Sequence, residues 1–193
     1  MDCSKVGNLI FKLRKERHMT QKQLAHQLNI SDKTISKWEC GLGCPDVSLL
    51  PQLSQALQVN IEKILLGDLN QNRVDGGNMK RIKFYVCPDC GNVITATAET
   101  EVSCCGRKLT ALTPKPSDEE HNLQFESIEN DHYITFTHPM NKEHYLQFVA
   151  CVTYDKVLLV RLYPEQGAEV RIPKLSGGKF YFACSQHGLW VQK

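Results

Sequence analysis

The spacing of apolar residues changes part-way along the chain, and this change constrains the fold more than any other feature. Up to residue 67 apolar residues recur every three or four positions, as in amphipathic helices, whereas from residue 84 they alternate with polar residues in short runs, as in strands. Residues 68–80 read DLNQNRVDGGNMK and show no apolar period, which predicts a linker. With 193 residues the chain can hold two or three modest domains. We therefore expect a multidomain α plus β protein.

Three helix starts in residues 1–67 are marked by capping residues. Thr20 can cap a helix while Gln23 returns the bond, and Ser31 and Asn60 stand at equivalent positions. Gly67 is placed to end the last of these helices. Each start also has apolar residues at the two positions of a hydrophobic staple, namely Met19 with Leu24, Ile30 with Ile35, and Val59 with Ile64.

Two further amphipathic stretches complete a predicted five-helix bundle. The first begins at Val6 and has a basic face opposite its apolar one, formed by Lys12, Arg14, Lys15 and Arg17. The other lies in PDVSLLPQLSQAL, where Pro51 is tolerable in the first helical turn. The two helices joined by LNIS form a helix-turn-helix, and the second of them, residues 32–39, would enter a DNA major groove.

Residues 6–66 resemble the Cro and lambda-repressor type of helix-turn-helix family. The resemblance implies binding to double-stranded DNA as a homodimer on a pseudo-palindromic site. Gln21, at the start of the second helix, would touch a phosphate or a base. The recognition helix would turn Ile35 and Trp38 into the core and project four side chains towards DNA, those of Lys33, Thr34, Ser36 and Lys37.

The charge of the first 67 residues agrees with this interpretation. They hold nine Lys and Arg against six Asp and Glu, a net charge of about +3, whereas the rest of the chain holds fourteen against fifteen. A polyanion is therefore expected to meet the front of the chain. The sequence has no run of eighteen apolar residues and no signal-peptide pattern, so we expect a soluble, cytoplasmic protein with no membrane partner.

Nine cysteines and seven histidines favour metal binding over disulfides in a reducing cytosol. Cys87 and Cys90 form a C-x-x-C pair, Cys104 and Cys105 are adjacent, and a glycine follows each pair. Four thiolates suit a tetrahedral zinc or iron ion, and the spacing does not choose between them. The pattern is similar to the desulforedoxin-type module of desulfoferrodoxins, which implies a single iron in a small β module, here residues 81–113.

Residues 118–193 predict an antiparallel β-sandwich with an immunoglobulin-like layout. Cys184 and His187 lie one tight turn apart, whereas His138 and His144 can converge only if the chain turns at Pro139, because six extended residues cover about 20 Å. The segments predicted as strands are NLQFESI, HYITFTH, HYLQFVACVTY, KVLLVRLY, AEVRIP and KFYFAC, and the preceding TPKPSDEE is predicted as a loop.

Three motifs in this region resemble those of superoxide reductases, namely neelaredoxin and the second domain of desulfoferrodoxin. They are EEH at 119–121, HPMNKEHY at 138–145 and CSQHGLW at 184–190. The resemblance implies a ferrous ion with Cys184 as its axial ligand, an open sixth position, and four equatorial imidazoles from His121, His138, His144 and His187. A thiolate opposite the open position favours electron transfer to a bound oxygen species, so superoxide could be reduced to peroxide there.

Two acidic residues precede the first of these histidines. Glu119 matches the glutamate that can close the sixth position in the oxidised family members. Glu120 stands where the family has a lysine that attracts superoxide, and a carboxylate there would repel an anion.

Three functions are therefore open. We favour a redox- or superoxide-responsive transcription regulator with two iron centres. The alternatives are a superoxide reductase that carries a DNA-binding module and uses an electron donor, and a zinc-stabilised regulator with a degenerate reductase domain.

Four cysteines have no ligand role in this scheme: Cys3, Cys40, Cys44 and Cys151. Cys40 and Cys44 flank the end of the recognition helix, where a redox-sensitive pair is conceivable. We expect them instead to be small buried residues.

Overall fold

The computed structural model of the protein describes residues 1–69 and 78–192. The chain divides into two compact units, Met1–Gln71 and Asn72–Lys193. Most of the predicted linker, residues 70–77, lies outside the described residues, as does Lys193. None of the described helices combines the length and the apolar character needed to cross a membrane.

The first unit is helical. Residues 1–69 form α1 (Cys3–Glu16), α2 (Gln21–Gln27), α3 (Asp32–Glu39), α4 (Leu50–Leu57) and α5 (Ile61–Leu66), with a 3-10 turn (Val47–Leu49) before α4. The caps explain two of the helix starts: Thr20 and Gln23 make both bonds of a capping box, and Ser31 accepts a hydrogen bond from the Thr34 amide. Asn60 precedes α5, but its side chain makes no capping hydrogen bond, contrary to expectation.

The recognition helix α3 is fixed by close packing against α1. A Cβ on Gly7 would collide with the carbonyl oxygen of Trp38, so the two helices can approach this closely only because α1 has a glycine here. Every helix contributes a fully buried side chain to the core of the unit, as Ile10, Leu24, Ile35, Leu53 and Ile64 do. Ile35 and Trp38 therefore face the core as expected, and the opposite face of α3 remains open to solvent.

Strands make up the second unit, after a 3-10 turn (Met79–Arg81). Two hairpins come first, β1 (Lys83–Val86) with β2 (Val93–Ala96), and β3 (Val102–Cys104) with β4 (Arg107–Leu109). The next strands are β5 (Lys115–Pro116), β6 (Leu123–Ile128), β7 (Asp131–Phe136) and β8 (Leu146–Val152). The last are β9 (Val157–Arg161), β10 (Glu169–Pro173), β11 (Lys179–Cys184) and β12 (Gly188–Gln192).

Two larger sheets share one hydrophobic core. The first has the order β10-β7-β6, and the second has the order β5-β12-β11-β8-β9. Ile134 and Ile172 from the first sheet pack with Val149 and Phe182 from the second. The other face of the five-stranded sheet packs on Phe84 of β1 and on Val93 of β2, so the β1–β2 hairpin covers that face.

The six segments predicted as strands all form strands, but two further strands were not predicted. Residues 188–192 form β12, and the predicted loop TPKPSDEE contains β5, which pairs with β12 in parallel. The expectation of a wholly antiparallel sandwich was therefore wrong at this edge. Leu189 and Trp190 are both buried, so β12 is covered on both faces and shows no apolar alternation.

Candidate DNA-binding surface and metal centres

The predicted DNA-contacting residues on α3 differ in how freely they can reach a partner. Lys33 and Lys37 are exposed, whereas Thr34 and Ser36 are half-buried. The Thr34 hydroxyl hydrogen bonds the hydroxyl of Ser31 at 2.9 Å. The two lysines are thus the residues best placed to meet a phosphate, and contact of all four with DNA stays a prediction.

Gln21, also predicted to contact DNA, hydrogen bonds to a buried ion pair, and its contact with DNA stays a prediction. Its amide donates to a carboxylate oxygen of Glu39 at 2.7 Å, and Arg14 donates to both oxygens of that carboxylate at 2.6 and 2.8 Å. Arg14 also donates to the carbonyl of Met19 at 2.6 Å. Assigning Arg14 to the solvent-facing basic side was wrong, because only 4% of it is exposed.

This ion pair shifts the acid–base properties of both partners. Burial raises the pKa of Glu39, but the hydrogen bonds from Arg14 and Gln21 outweigh burial and hold that pKa below its ordinary value. The hydrogen bond to Glu39 raises the pKa of Arg14. Because α1, α2 and α3 each contribute one member of the cluster, it joins the helix-turn-helix to α1.

The cysteines of this unit depart from expectation. Cys3 and Cys44 form a disulfide across 41 positions of sequence, and Cys40 is exposed with a free thiol. The prediction that Cys40 and Cys44 are buried small residues was therefore wrong. The disulfide joins the first turn of α1 to the loop that follows α3. Of the four unassigned cysteines, Cys151 alone is a buried core residue.

The four cysteines of the C-x-x-C and CC pairs converge in the second unit. The sulfurs of Cys87, Cys90, Cys104 and Cys105 all lie within 4.8 Å of one another. The second pair converges because β3 and β4 are joined by a two-residue turn, Cys105-Gly106, in which both residues have positive φ. This hairpin turn explains how adjacent cysteines can present both sulfurs to one point.

The pKa values of the cysteines in this cluster differ, so that Cys87 loses its proton more readily than Cys105. A hydrogen bond from the Cys90 backbone is the main cause that lowers the pKa of Cys87 to about 7, whereas the hydrogen bond with the Cys90 sulfur is the main cause that raises the pKa of Cys105 to about 12. An exposed ion pair, at 2.8 Å, connects Asp89, which lies between Cys87 and Cys90, to Arg107, which follows the Cys105-Gly106 turn. Four sulfurs at this spacing have the chemistry of a tetrahedral zinc or iron site.

The predicted histidine and cysteine ligands also converge. Going round the ring of imidazoles His121, His138, His144 and His187, neighbouring ring centroids lie 5.3, 4.5, 4.8 and 4.9 Å apart. The ligand atoms of His121, His138, Cys184 and His187 lie within 4.8 Å of one another, and the Nε2 of His144 lies 3.2 Å from the Cys184 sulfur.

Outer hydrogen bonds orient two of these imidazoles. The Nδ1 of His121 lies 3.0 Å from Asp118 Oδ1, and the Nδ1 of His138 lies 2.7 Å from the Pro139 carbonyl oxygen. Because both oxygens are acceptors, each Nδ1 carries the proton, and each Nε2 has a free lone pair. These lone pairs point inwards, towards His187 Nδ1 at 2.9 Å and the Cys184 sulfur at 3.2 Å. Such lone pairs suit a metal cation.

Local turns bring these ligands together. Asn141 closes the turn between His138 and His144, since its side chain accepts from the His144 amide at 2.7 Å and its own amide donates to the His144 carbonyl at 3.1 Å. Cys184 ends β11 at an irregularity in the pairing with β8, a feature that re-aims side chains. Gly188, with φ of 86°, allows the short β11–β12 turn that carries His187.

A pocket of about 350 Å³ opens on one side of the imidazole ring. It is lined by Glu119, Glu120, Thr137, Pro139 and the four histidines. Cys184 does not line it and is 2% exposed, so the thiol approaches the ring from the buried side. Burial lowers the pKa of His138 and of His144, and burial raises the pKa of Cys184. The neutral imidazoles remain able to bind a cation, and binding at the thiol would release its proton.

Comparisons with known proteins agree with the division into two units. Residues 10–64 match the family described as helix-turn-helix. The HTH-type transcriptional activator BcrR of Enterococcus faecalis is 38% identical over 80 residues, which are 38% of each chain. The desulfoferrodoxin of Syntrophotalea carbinolica is 28% identical over 120 residues, which cover 58% of this chain and 95% of that protein. The chain joins a helix-turn-helix unit to a desulfoferrodoxin-like unit.

A solved structure supports the fold of the desulfoferrodoxin-like unit. The superoxide reductase from Treponema pallidum superposes with a TM-score of 0.50 at 20% identity, covering 58% of this chain and 98% of that chain. This likeness concerns the fold. The desulfoferrodoxin of Desulfarculus baarsii is 25% identical over 123 residues, which cover 58% of this chain and 95% of that protein.

Sequence reasoning missed three residues that support the histidine ring of the desulfoferrodoxin-like unit. Asp118 also accepts from the His121 amide at 2.7 Å, and an aspartate three residues before a histidine is the signal that could have revealed it. Trp190 stacks on His121 with centroids 4.2 Å apart. Lys115 donates to the His187 carbonyl at 3.2 Å and lies 5.3 Å from the Trp190 ring centroid, contacts that no local motif indicates.

Proposed function

We propose that this protein is a DNA-binding transcription regulator whose desulfoferrodoxin-like unit holds a mononuclear iron ion and responds to superoxide or to redox poise. The observation that carries the iron site is the inward aim of the Nε2 lone pairs of His121 and His138, set by outer hydrogen bonds on both rings. His144, His187 and Cys184 complete the proposed ligand set. A mixed set of imidazoles and one thiolate is typical of iron that changes oxidation state.

The residues around the histidine ring would have different roles at this site. Iron bound there would supply one-electron chemistry to a small oxygen species in the pocket. Cys184 would bind from the buried side, which leaves the pocket side of the ring for a ligand. Glu119 lines the pocket and is the proposed residue that closes the sixth position, whereas Glu120 adds a negative charge at the mouth. That charge would slow the entry of an anion such as superoxide.

The alternative, a superoxide reductase that carries a DNA-binding module, is supported by the same ligand set. The curated relatives named desulfoferrodoxin and the superoxide reductase from Treponema pallidum favour this activity. Glu120 argues for a sensor that meets superoxide slowly. An electron donor would be needed for repeated turnover, and we propose it as a partner only for the enzyme.

The four-cysteine cluster is proposed as a second metal site. With iron it would be a one-electron centre, and with zinc it would stabilise a module whose own core is small. Zinc at both sites would favour the third function, a regulator with a degenerate reductase domain. The boundaries 81–113 for this module, 118–193 for an immunoglobulin-like sandwich, 1–67 for the DNA-binding domain and 68–80 for the linker are part of the proposal.

Regulation requires that the helix-turn-helix unit binds DNA. We propose that Lys33 and Lys37 contact phosphates, that Thr34 and Ser36 approach the bases, and that Gln21, which hydrogen bonds to Glu39, touches a phosphate or a base. Two copies on a pseudo-palindromic site, in the cytoplasm, are the proposed assembly. The relative named transcriptional activator BcrR and the helix-turn-helix match support the DNA-binding role.

The decisive experiment is metal analysis of protein purified without oxygen, combined with visible and paramagnetic resonance spectra. We expect iron in the wild type and loss of one iron signal in His121→Ala, with the four-cysteine signal unchanged. Zinc alone at both sites would refute the redox function.

A second experiment separates the sensor from the enzyme. Superoxide is added to the iron-loaded protein, and peroxide formation and spectral oxidation are followed. A sensor is oxidised once, whereas a reductase with a donor forms peroxide repeatedly. Glu120→Lys should accelerate oxidation by superoxide, with Glu126→Lys, on an exposed residue that does not line the pocket, as the matched control. Equal rates in Glu120→Lys and wild type would remove the argument from charge.

A further inference from the structure

An arginine from the five-stranded sheet lies against the turn that carries Cys87 and Cys90, the first pair of the four-cysteine cluster. Residues of β9 alternate strictly: Leu158 and Val160 pack into the core between the two sheets, whereas Val157 and Leu159 pack on the opposite side, in the cluster that includes the β1–β2 hairpin. Side chains two positions apart in a strand share a face, so Arg161 follows Val157 and Leu159 on the side of the hairpins. A charged residue thus occupies a position where β9 otherwise presents apolar side chains.

The guanidinium of Arg161 reaches the turn that carries the first cysteine pair. Its Nη2 lies 3.8 Å from the point where a Cβ on Gly91 would stand. Gly91 directly follows Cys90, and its amide donates to the Cys87 carbonyl at 2.9 Å, so it belongs to the turn that presents both sulfurs. The Arg161 guanidinium also lies 5.7 Å from the ring centroid of Tyr163.

This guanidinium lacks a protein acceptor where it needs one. The Nη1 of Arg161 is buried and has no hydrogen-bond partner among residues 1–69 and 78–192. A guanidinium is always charged, and burying a charge is costly unless an opposite charge is near. Two other arginines of the unit have such partners, since Arg107 pairs with Asp89 and Arg171 pairs with Asp131.

A metal-loaded four-cysteine site would supply the opposite charge. Four thiolates around a divalent ion carry a net charge of −2, and around a trivalent ion −1. We propose that Arg161 is a positioning residue of this metal centre, which stabilises its negative charge and holds the Cys87–Cys90 turn. The inference rests on the proposed metal site and adds a residue to it from a strand distant in sequence.

Loss of Arg161 should change both the metal affinity of the four-cysteine site and the reduction potential of an iron ion bound there. Loss of the positive charge should weaken metal binding, by about tenfold if Arg161 acts as supporting residues of metal sites commonly do. With iron in the site, the reduced state carries one more negative charge than the oxidised state. Removing Arg161 should therefore lower the reduction potential of that iron.

The test uses the full chain with Cys184→Ala, so that a cobalt(II) probe reports the four-cysteine site through its sulfur-to-metal absorption. Affinity is measured by competition with a chromophoric chelator for Arg161→Gln and Arg161→Lys, and Arg171→Gln serves as the matched control on an exposed arginine of the other sheet. We expect about tenfold weaker binding in Arg161→Gln, and nearly unchanged binding in Arg161→Lys and in the control. The metal-free Arg161→Gln chain should unfold at a temperature no lower than the metal-free parent, because it lacks the unpaired charge.

Other results would overturn the proposed metal site, the role of Arg161, or both. If cobalt gives no sulfur absorption that Cys87→Ser removes, both the metal site and the inference fail. If that absorption is present and Arg161→Gln binds cobalt as tightly as the parent chain, the inference fails and the metal site stands. If both Arg161 variants weaken binding equally, or if the metal-free Arg161→Gln chain is already less stable, Arg161 acts through packing and the role of its charge is refuted.

Discussion

Breaking the Cys3–Cys44 disulfide should destabilise the helix-turn-helix unit strongly. The bridge joins the N-terminal turn of α1 to the loop after the recognition helix, across 41 positions. It thereby supplements the contact of Gly7 with Trp38 and the ion pair of Arg14 and Glu39, which join the same two helices. Reduction removes the cross-link while leaving these other contacts in place.

The length of the closed loop sets how much unfolding free energy is lost when the disulfide is reduced. Cross-linking a loop of about 41 residues restricts the unfolded chain by an entropy worth about 4 kcal/mol at 25 °C. A small unit has a guanidinium dependence of roughly 2 kcal/mol per molar, so reduction should lower the unfolding midpoint by about 2 M. For a protein of marginal stability this is a large part of the total.

Tryptophan fluorescence can follow the unfolding of the helix-turn-helix unit. The chain has two, so Trp190→Phe leaves Trp38, 5% exposed beside α1, as the reporter of this unit. Guanidinium unfolding is followed by fluorescence for oxidised protein, reduced protein and the Cys3→Ser/Cys44→Ser variant. Cys40→Ser, which changes an exposed free thiol of the same loop, is the control and should behave as the oxidised parent.

The expected result is a lower midpoint for the reduced and doubly substituted proteins alike. If oxidised and reduced proteins unfold at the same midpoint, the bridge does not cross-link the unit and the reasoning is refuted. A large loss in Cys40→Ser would also count against it, because it would trace the effect to the loop and not to the cross-link.

Three further predictions concern other contacts. Lys33→Ala and Lys37→Ala should each weaken DNA binding and reduce the slope of log affinity against log salt by about 1; an unchanged slope would mean that neither lysine meets a phosphate. Glu39 has a lowered pKa when folded, so its stabilisation is present above the ordinary glutamate pKa, about 4.3, and is lost as pH falls through its lower folded pKa. Acid unfolding curves of Glu39→Gln should therefore be flatter below about pH 5, and parallel curves would contradict the shift. Asp118→Ala should weaken cobalt or iron binding at the histidine ring about 10- to 100-fold by removing the acceptor of the His121 Nδ1 proton; equal affinity would exclude an orienting role.

Features set by neighbouring residues were predictable from the sequence. The capping box of Thr20 and Gln23 and the cap at Ser31 act within one helical turn, so residue types and spacing predicted where α2 and α3 begin. The strands β6 to β11 were predicted in the same way, from alternation over five to seven residues. The convergence of Cys184 and His187 also depends on a single tight turn.

Features that depend on distant residues were not predictable in this way. Cys3 was paired with nothing and Cys40 was grouped with Cys44, because proximity in sequence favoured the wrong pair. Arg14 reads as one more basic residue of an amphipathic helix, and only the fold places Glu39 beside it. The same holds for Lys115, whose contact with the His187 carbonyl spans 72 positions.

The four buried polar residues among the described ones differ in what their side chains contact. Arg14 and Thr153 are satisfied within the protein, the first by Glu39 and Met19 and the second by its own turn. His121 and His138 have partners at both ring nitrogens, but their inner Nε2 atoms contact other candidate ligands, His187 Nδ1 at 2.9 Å and the Cys184 sulfur at 3.2 Å, where a cation would bind them better than a thiol proton or an imidazole does.

Arg161 presents the opposite need: its Nη1 is buried without an acceptor among the described residues, and its Nη2 lies against the turn of Gly91, next to cysteines that become anionic when they bind a metal. A lone pair without a cation and a cation without an anion are both unfavourable in a protein interior. Metal ions resolve both, the first by direct ligation and the second through the charge of the thiolates. The two proposed metal centres therefore rest on the convergence of their ligand atoms, and the unpaired Nη1 of Arg161 adds support to the four-cysteine site.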